Sequence, residues 1–266
     1  MGKKQEVLTE LFQMCQEREN YVFDNTEVKE VCARVGFGNP FDVTKLDNHT
    51  LLPDILVNND YAVIHLGGGR HQFIKGIDKI YHAFEPITDY TDWTYRRSLL
   101  NEYNSSESNL LSVANNQRIL HQFVFGEDRE FESIDISQRP KTYFPHRTKT
   151  DFSYRFGTEP IRLEQIQIEV DLTIEYQGKI GVFEAKNGVP DSFAAYQIYH
   201  PFLYYYNARE RLGEQLREIV GVYVVRHKEG GQTYLRLWEY TFNDPLDITS
   251  IRLVNSKGYR LIGEQG

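Results

Sequence analysis

A chain of 266 residues with 18 Tyr and 16 Phe is long enough for one large domain or two smaller ones, and too aromatic for a disordered one. Its 38 acidic and 30 basic residues leave a net charge of −8, which argues against indiscriminate nucleic-acid binding but leaves a locally basic surface open. No apolar run of eighteen residues exists, and Met-Gly-Lys-Lys-Gln-Glu is not followed by the hydrophobic stretch of a signal peptide, so no membrane span and a cytoplasmic location are expected.

Leu8, Leu11, Phe12 and Cys15 recur at i, i+3, i+4 and i+7 and predict an amphipathic helix. In a second helix Asp24 or Asn25 is the cap, Glu27 completes a capping box with Asp24, Val28, Val31, Cys32 and Val35 form the apolar face, and Gly36 is the stop. Cys15 and Cys32 both fall on apolar helix positions without metal-ligand spacing and read as buried thiols of a reducing compartment. After Asn39-Pro40 a short helical stretch is expected through Leu56, and residues 61–66 and 70–74 read as a hairpin tipped by Gly67-Gly68-Gly69. That tip is no phosphate loop, because no Gly-Lys-Ser/Thr follows it. The order of elements resembles a winged helix-turn-helix, which would put Arg70, His71 and Lys75 on a DNA-contacting wing. The 13 acids and 9 bases of residues 1–85 suit a protein-contact or structural subdomain equally well, and His65, His71 and His82, lacking metal-ligand support, read as structural.

From 105 to 125 a helical pattern recurs, with Leu110, Leu111, Ala114, Ile119, Leu120 and Phe123 apolar. Glu107 falls in its first turn, where the helix dipole favours an acid. Residues 138–157 are locally basic: Arg139, Lys141, Arg147, Lys149 and Arg155 stand against the single acid Asp151, interleaved with Tyr143, Phe144, Phe152 and Tyr154. Such a mixture suits backbone contacts and base stacking, or a long solvated hairpin loop.

Residues 165–186 carry the most specific signal. Apolar residues hold every even position from Ile166 to Ile174 and polar ones every odd position, which predicts a strand with one buried face; the return strand starts at Ile180. With Gln177-Gly178 at the turn, Asp171 sits across from Glu184 and Glu169 across from Lys186. Like charges so placed repel, and a hard divalent cation held by Asp171 and Glu184 would remove the repulsion. Lys186, one pleat repeat from Glu184, could orient or help deprotonate an attacking water and neutralise phosphate charge. The alternative is a solvated strand face.

Asp171, twelve intervening residues and Glu184-Ala185-Lys186 resemble the PD-(D/E)xK nuclease core, and the chain from about 105 to 240 resembles a type II restriction endonuclease. Val170 stands where that pattern has proline, a variation the family tolerates. The resemblance implies Mg²⁺ on Asp171, Glu184 and the main-chain carbonyl of Ala185, with Lys186 in the water-activating position. It also implies a further acid from the preceding helix, for which Glu107 is the nearest match with Glu102 behind it. Gln197, on a helix expected from Asp191 or Ser192 to about Leu212 and kinked or split at Pro201, is similar to a glutamine that some members place beside the site. The tyrosine normally four residues on is replaced by that proline. Further strands are expected at 219–225, 233–241 and 251–254.

The expected fold is α/β: a restriction-endonuclease-like core, a mixed sheet flanked by helices over residues 86–266, behind a small winged-helix-like domain over 1–85. The expected function is Mg²⁺-dependent, site-specific hydrolysis of double-stranded DNA, by a homodimer if the target is a palindrome. Rivals are a repair, RNA-processing or methylation-dependent nuclease on the same core, and a DNA-binding regulator with an inactive core. A carboxylate-pair glycosidase fits less well, since it needs no lysine two residues from its acid.

Overall fold

The computed structural model describes residues 2–95, 98–104, 106–126, 134–212 and 216–263. Helix α1 (Lys3–Glu17) buries Leu8, Leu11, Phe12 and Cys15, the stripe that its sequence period marks. A short strand, β1 (Val22–Asp24), leads into α2 (Asn25–Val35). Asp24 Oδ1 accepts from Thr26 N at 2.7 Å and Glu27 N at 3.0 Å, while Glu27 Oε2 accepts from Asp24 N at 3.0 Å, a reciprocal capping box. Gly36 closes the helix at φ 74°. Two 3₁₀ turns and α3 (Asp54–Asn58) then precede the hairpin β2 (Tyr61–Gly67) and β3 (Arg70–Lys75).

This hairpin is not a free wing. Gly67 pairs with Glu164 of the long strand β8 (Glu159–Val170), so the N-terminal strands join a five-stranded sheet whose far members are β8 and β7 (His146–Phe156). At φ 79°, a Cβ on Gly67 would lie 1.9 Å from the Glu164 carbonyl oxygen, so only glycine allows the approach. Residues 1–85 do not keep a core of their own: Leu8, Val31 and Phe73 belong to one apolar cluster with Leu163, Tyr199 and Trp238.

The chain continues through β4 (Tyr81–His82), β5 (Tyr90–Tyr95), α4 (Glu107–Asn116), α5 (Ile119–Phe125) and β6 (Lys141–Tyr143). The predicted helix over 105–125 is thus two, parted where Arg118 adopts φ 66°; Ser105, its expected start, lies outside the described residues. Residues 146–156, for which a long solvated hairpin loop is one of two sequence readings, form strand β7, because Phe152, Tyr154 and Phe156 alternate into the core. After β8 come β9 (Leu172–Tyr176), β10 (Lys179–Asn187), the two-residue β11 (Phe193–Ala194), α6 (Tyr196–Leu212), β12 (Glu218–Glu229), β13 (Gln232–Phe242) and β14 (Ile251–Gly263). Pro201 does not split α6. It lies early in the helix and removes only the bond to the Gln197 carbonyl.

A seven-stranded mixed sheet runs in the order β5-β14-β13-β12-β10-β9-β6, with β10 and β12 parallel and α6 crossing between them. Val220, Val222 and Val224 of β12 pack with α4 and α5, whereas Tyr223 and Val225 pack with α6. Burial on both faces explains why this strand is apolar from Ile219 to Val225, and each large apolar side chain there contributes about 1.5–3 kcal/mol. The architecture is mixed α/β, with sheets flanked by helices. No helix of the described residues is long and apolar enough to cross a membrane.

Candidate active site

Residues 166–174 do not form one strand. β8 ends at Val170 in the five-stranded sheet, β9 begins at Leu172 in the seven-stranded one, and Asp171 is the residue between. The even residues stay buried across the break but enter different cores: Ile166, Ile168 and Val170 on the α6 side, Leu172 and Ile174 against α4 and α5. The break therefore leaves the alternation intact while freeing one acidic side chain from both ladders. Glu169 does not face Lys186; it stays in the five-stranded sheet opposite Arg147, 3.0 Å from its Nε.

The expected turn is present. Gln177 and Gly178 take φ 49° and 79°, positive at both central positions as a two-residue hairpin requires, and the ladder runs from Tyr176↔Lys179 to Leu172↔Phe183. One step further Asp171 meets Glu184 and accepts a hydrogen bond from Ala185 N at 3.4 Å. Within one strand residue the N–H and C=O point the same way, so the Ala185 carbonyl also faces Asp171, beyond the last β9 pair.

Glu184 is almost enclosed. Its Oε1 receives Lys186 Nζ at 2.8 Å and Gln197 Nε2 at 3.0 Å, which leaves Oε2 with neither donor. Burial, with Asp171 and Glu107 adding repulsion against the pull of Lys186, pushes the Glu184 carboxyl up to about 8. Asp171 is raised as well, chiefly by burial. Burial works against the charge on Lys186, but Glu184 and Glu107 outweigh it and hold the ammonium above its ordinary value. Glu107, in the first turn of α4 behind the Ser106 cap, reaches Lys186 Nζ at 3.7 Å. Tyr223 of β12 donates to Gln197 Oε1 at 2.8 Å, turning the amide so that its NH₂ points at Glu184.

Asp171, Glu184, Lys186, Glu107 and Gln197 thus converge on one cleft of about 350 Å³. Its other wall brings in residues the sequence did not suggest: Lys45 and Asp47 from the coil before α3, His65 from β2 and His200 from α6. Lys45 and Asp47 carry no periodic signal, His65 reads as structural, and His200 stands out by no motif. Among the described residues no group of three or more His, Cys, Asp or Glu side chains is set to hold a metal ion. A cation here would rest on two carboxylates, the Ala185 carbonyl and water, a donor set that suits Mg²⁺.

The proposed DNA-contacting residues do not form one surface. His71 is buried, 3.0 Å from both His65 Nδ1 and Asn25 Oδ1, and cannot reach a ligand. Arg70 is tied to Glu164 at 3.0 Å, Lys75 lies over the Tyr61 ring, and Arg139 Nε donates to the Ile134 carbonyl at 3.1 Å. Arg155 pairs with Asp244 at the far end of β7, about 25 Å from Arg147 at ~3.3 Å per residue. Lys141, Arg147 and Lys149 are exposed near the Asp171 break, the first two beside Glu175 and Glu169. Arg147 and Lys149 face Glu169 and Gln167, both of which line the cleft.

Residues 76–260 match a family model described as a domain of unknown function (DUF6997), and residues 5–73 match a second one, also a domain of unknown function (DUF6996). The chain belongs to the DUF6997 family. The seam between the two matches falls at the end of β3, yet the sheet and the apolar core run across it, and the cleft draws residues from both sides. Comparison with curated proteins and with solved structures gives no match.

Proposed function

We propose that the cleft hydrolyses phosphodiester bonds of double-stranded DNA with Mg²⁺, as a type II site-specific endonuclease on a restriction-endonuclease-like core. One observation carries the reading: across a hairpin, a carboxylate freed by a strand break faces a buried one whose Oε1 is bound by the lysine two residues on, 2.8 Å away. Two carboxylates that burial pushes toward their protonated forms, Glu184 with added repulsion from Asp171, are what a divalent cation would relieve. Asp171, Glu184 and the Ala185 carbonyl would hold it. When bound, the ion supplies a coordinated water of lowered pKa and neutralises a phosphoryl oxygen.

The remaining roles belong to the chain's own side chains. Lys186 is kept charged by Glu184 and Glu107, so it orients the water and the phosphate as a cation and does not act as a proton acceptor. Gln197, fixed by Tyr223, holds Glu184 Oε1 and keeps that carboxylate from turning away. Arg147 and Lys149 would follow the phosphates leading into the cleft. Residues 1–85 have the helix and hairpin order of a winged helix, but in this reading they buttress the cleft and present Lys45 and Asp47 to it. A palindromic target would call for two copies.

The test is incubation of the protein with mixed plasmid and phage DNA and Mg²⁺. Discrete bands are expected. A smear would replace site-specific by nonspecific cleavage, and intact DNA would favour a binding protein on an inactive core.

A further inference from the structure

The strand break at Asp171 has a twin across the ladder. β7 pairs with β8 up to His146↔Val170, and β6 pairs with β9 from Tyr143↔Thr173, so the neighbouring chain also changes sheets, at Phe144-Pro145. The register is the same on both sides of the break, which brings Pro145 opposite Asp171 and Phe144 opposite Leu172. Neighbouring strands lie about 5 Å apart and residues ~3.3 Å apart along each, so Tyr143 and Phe144 lie within about 10 Å of Asp171.

Both rings stand in solvent: Tyr143 is 57% exposed and Phe144 66%. Tyr143 stacks on His146 with ring centroids 4.1 Å apart, which holds its ring plane firm. Three exposed cations, Lys141, Arg147 and Lys149, lie along the same two strands; of the neighbouring carboxylates, Asp171 belongs to the cleft, and Glu169 and Glu175 are engaged by Arg147 and Lys141. A rigid aromatic tip between cations, beside a phosphodiester site, has the chemistry of a stacking platform for a base with its backbone phosphates on either side.

We propose that Tyr143 and Phe144 stack on an unpaired or everted nucleobase next to the scissile phosphate, so the substrate is nucleic acid opened at that step; this rests on the phosphodiesterase reading of the cleft. The test uses the full chain in EDTA, where no cleavage occurs, and three fluorescent probes of one sequence: a matched duplex, the same duplex with a single-base bulge, and the single strand. The bulged and single-stranded probes should bind roughly ten- to a hundredfold tighter than the matched duplex. Tyr143→Ala with Phe144→Ala should abolish this preference and leave matched-duplex affinity and its salt dependence unchanged, since the cations remain; Tyr143→Trp should keep it. Equal affinity of the wild type for all three probes, or a preference that survives the double substitution, would overturn the proposal and leave the tip to a protein contact. Absence of binding to every probe would remove the nucleic-acid reading of cleft and tip together. A preference abolished by the double substitution, with mixed plasmid and phage DNA left intact in Mg²⁺, would sink the hydrolase reading alone.

Discussion

Two hairpins of this chain each set a pair of like titratable groups face to face. In β2–β3, His65 pairs with His71; in β9–β10, Asp171 comes to face Glu184. Burial treats both pairs by the same rule, disfavouring the charged form. The consequences diverge because a neutral imidazole still carries both a donor and an acceptor. His71 is pushed down to about 3 by burial, with His65 adding to the effect, and the two rings share one hydrogen bond at 3.0 Å. Nothing is missing there. Two carboxylates have no such solution: they must share a proton or a cation, and Glu184 is pushed up to about 8. Histidines that satisfy each other make a core, while acids that cannot make a site.

The largest expected effect separates the hairpins by function. Asp171→Asn, Glu184→Gln and Lys186→Ala should each lower cleavage ~10³-fold or more with DNA binding retained, since these groups act on the reacting phosphate and contribute little to readout. Gln197→Ala should cost less, since it acts through Glu184. His71→Asn, compared at equal folded fraction, should cleave at close to the wild-type rate. Near wild-type cleavage by any of the first three would mean that the site lies elsewhere.

Next comes the joint between the two sheets. Gly67→Ala puts a methyl group 1.9 Å from the Glu164 carbonyl at a φ of 79°, so both the backbone strain and the clash oppose it. A loss of about 3 kcal/mol in urea unfolding is expected. Gly68→Ala, with an equally positive φ but open space around it, should cost about 1 kcal/mol. Equal losses would show that the β2–β8 contact is not what holds the N-terminal hairpin.

The sequence made some of this legible and hid the rest for identifiable reasons. The cap at Asp24, the stop at Gly36 and the turn at Gln177-Gly178 are local, set by side chains within a few residues, and they stand where their signals put them. The register of β9–β10 follows from that turn, and with it the meeting of Asp171, Glu184 and Lys186. The break at Asp171 was illegible because alternation has the same phase on both sides of it, although the buried side chains enter different cores. Lys45 and Asp47 were illegible because only tertiary packing brings an irregular coil to the cleft. Tyr223, the partner of Gln197, reads in sequence as one more member of an apolar strand.

A milder contrast concerns acid. A histidine held below its unfolded value, as His71 is at about 3, contributes stability that is present above the unfolded pKa of about 6.5 and is lost as pH falls toward 3. Wild-type protein should therefore lose about 2.5 kcal/mol through this group between pH 7 and pH 4.5. His71→Asn should lose less over the same interval, whatever its stability at pH 7. An identical fall in both proteins would assign the acid sensitivity to other groups.

The smallest effect bears on the acid pair. Glu184 and Asp171 are both raised, so the stability they contribute is present below the unfolded carboxylate range and lost as pH rises through the folded values, about 8 for Glu184. At pH 8 without metal, Asp171→Asn removes one of the two repelling charges and should raise the melting temperature by a few degrees, at about 2–4 °C per kcal/mol for a chain of this size. Millimolar Ca²⁺ should then stabilise the wild type and affect the variant less, because a ligand that binds only the folded state stabilises it by an amount that grows with the logarithm of its affinity. The opposing signs make the pair of melts decisive. A catalytically dead variant that is less stable in EDTA, or that responds to Ca²⁺ as the wild type does, would show two acids sharing no cation. The two hairpins would then differ in charge and not in purpose.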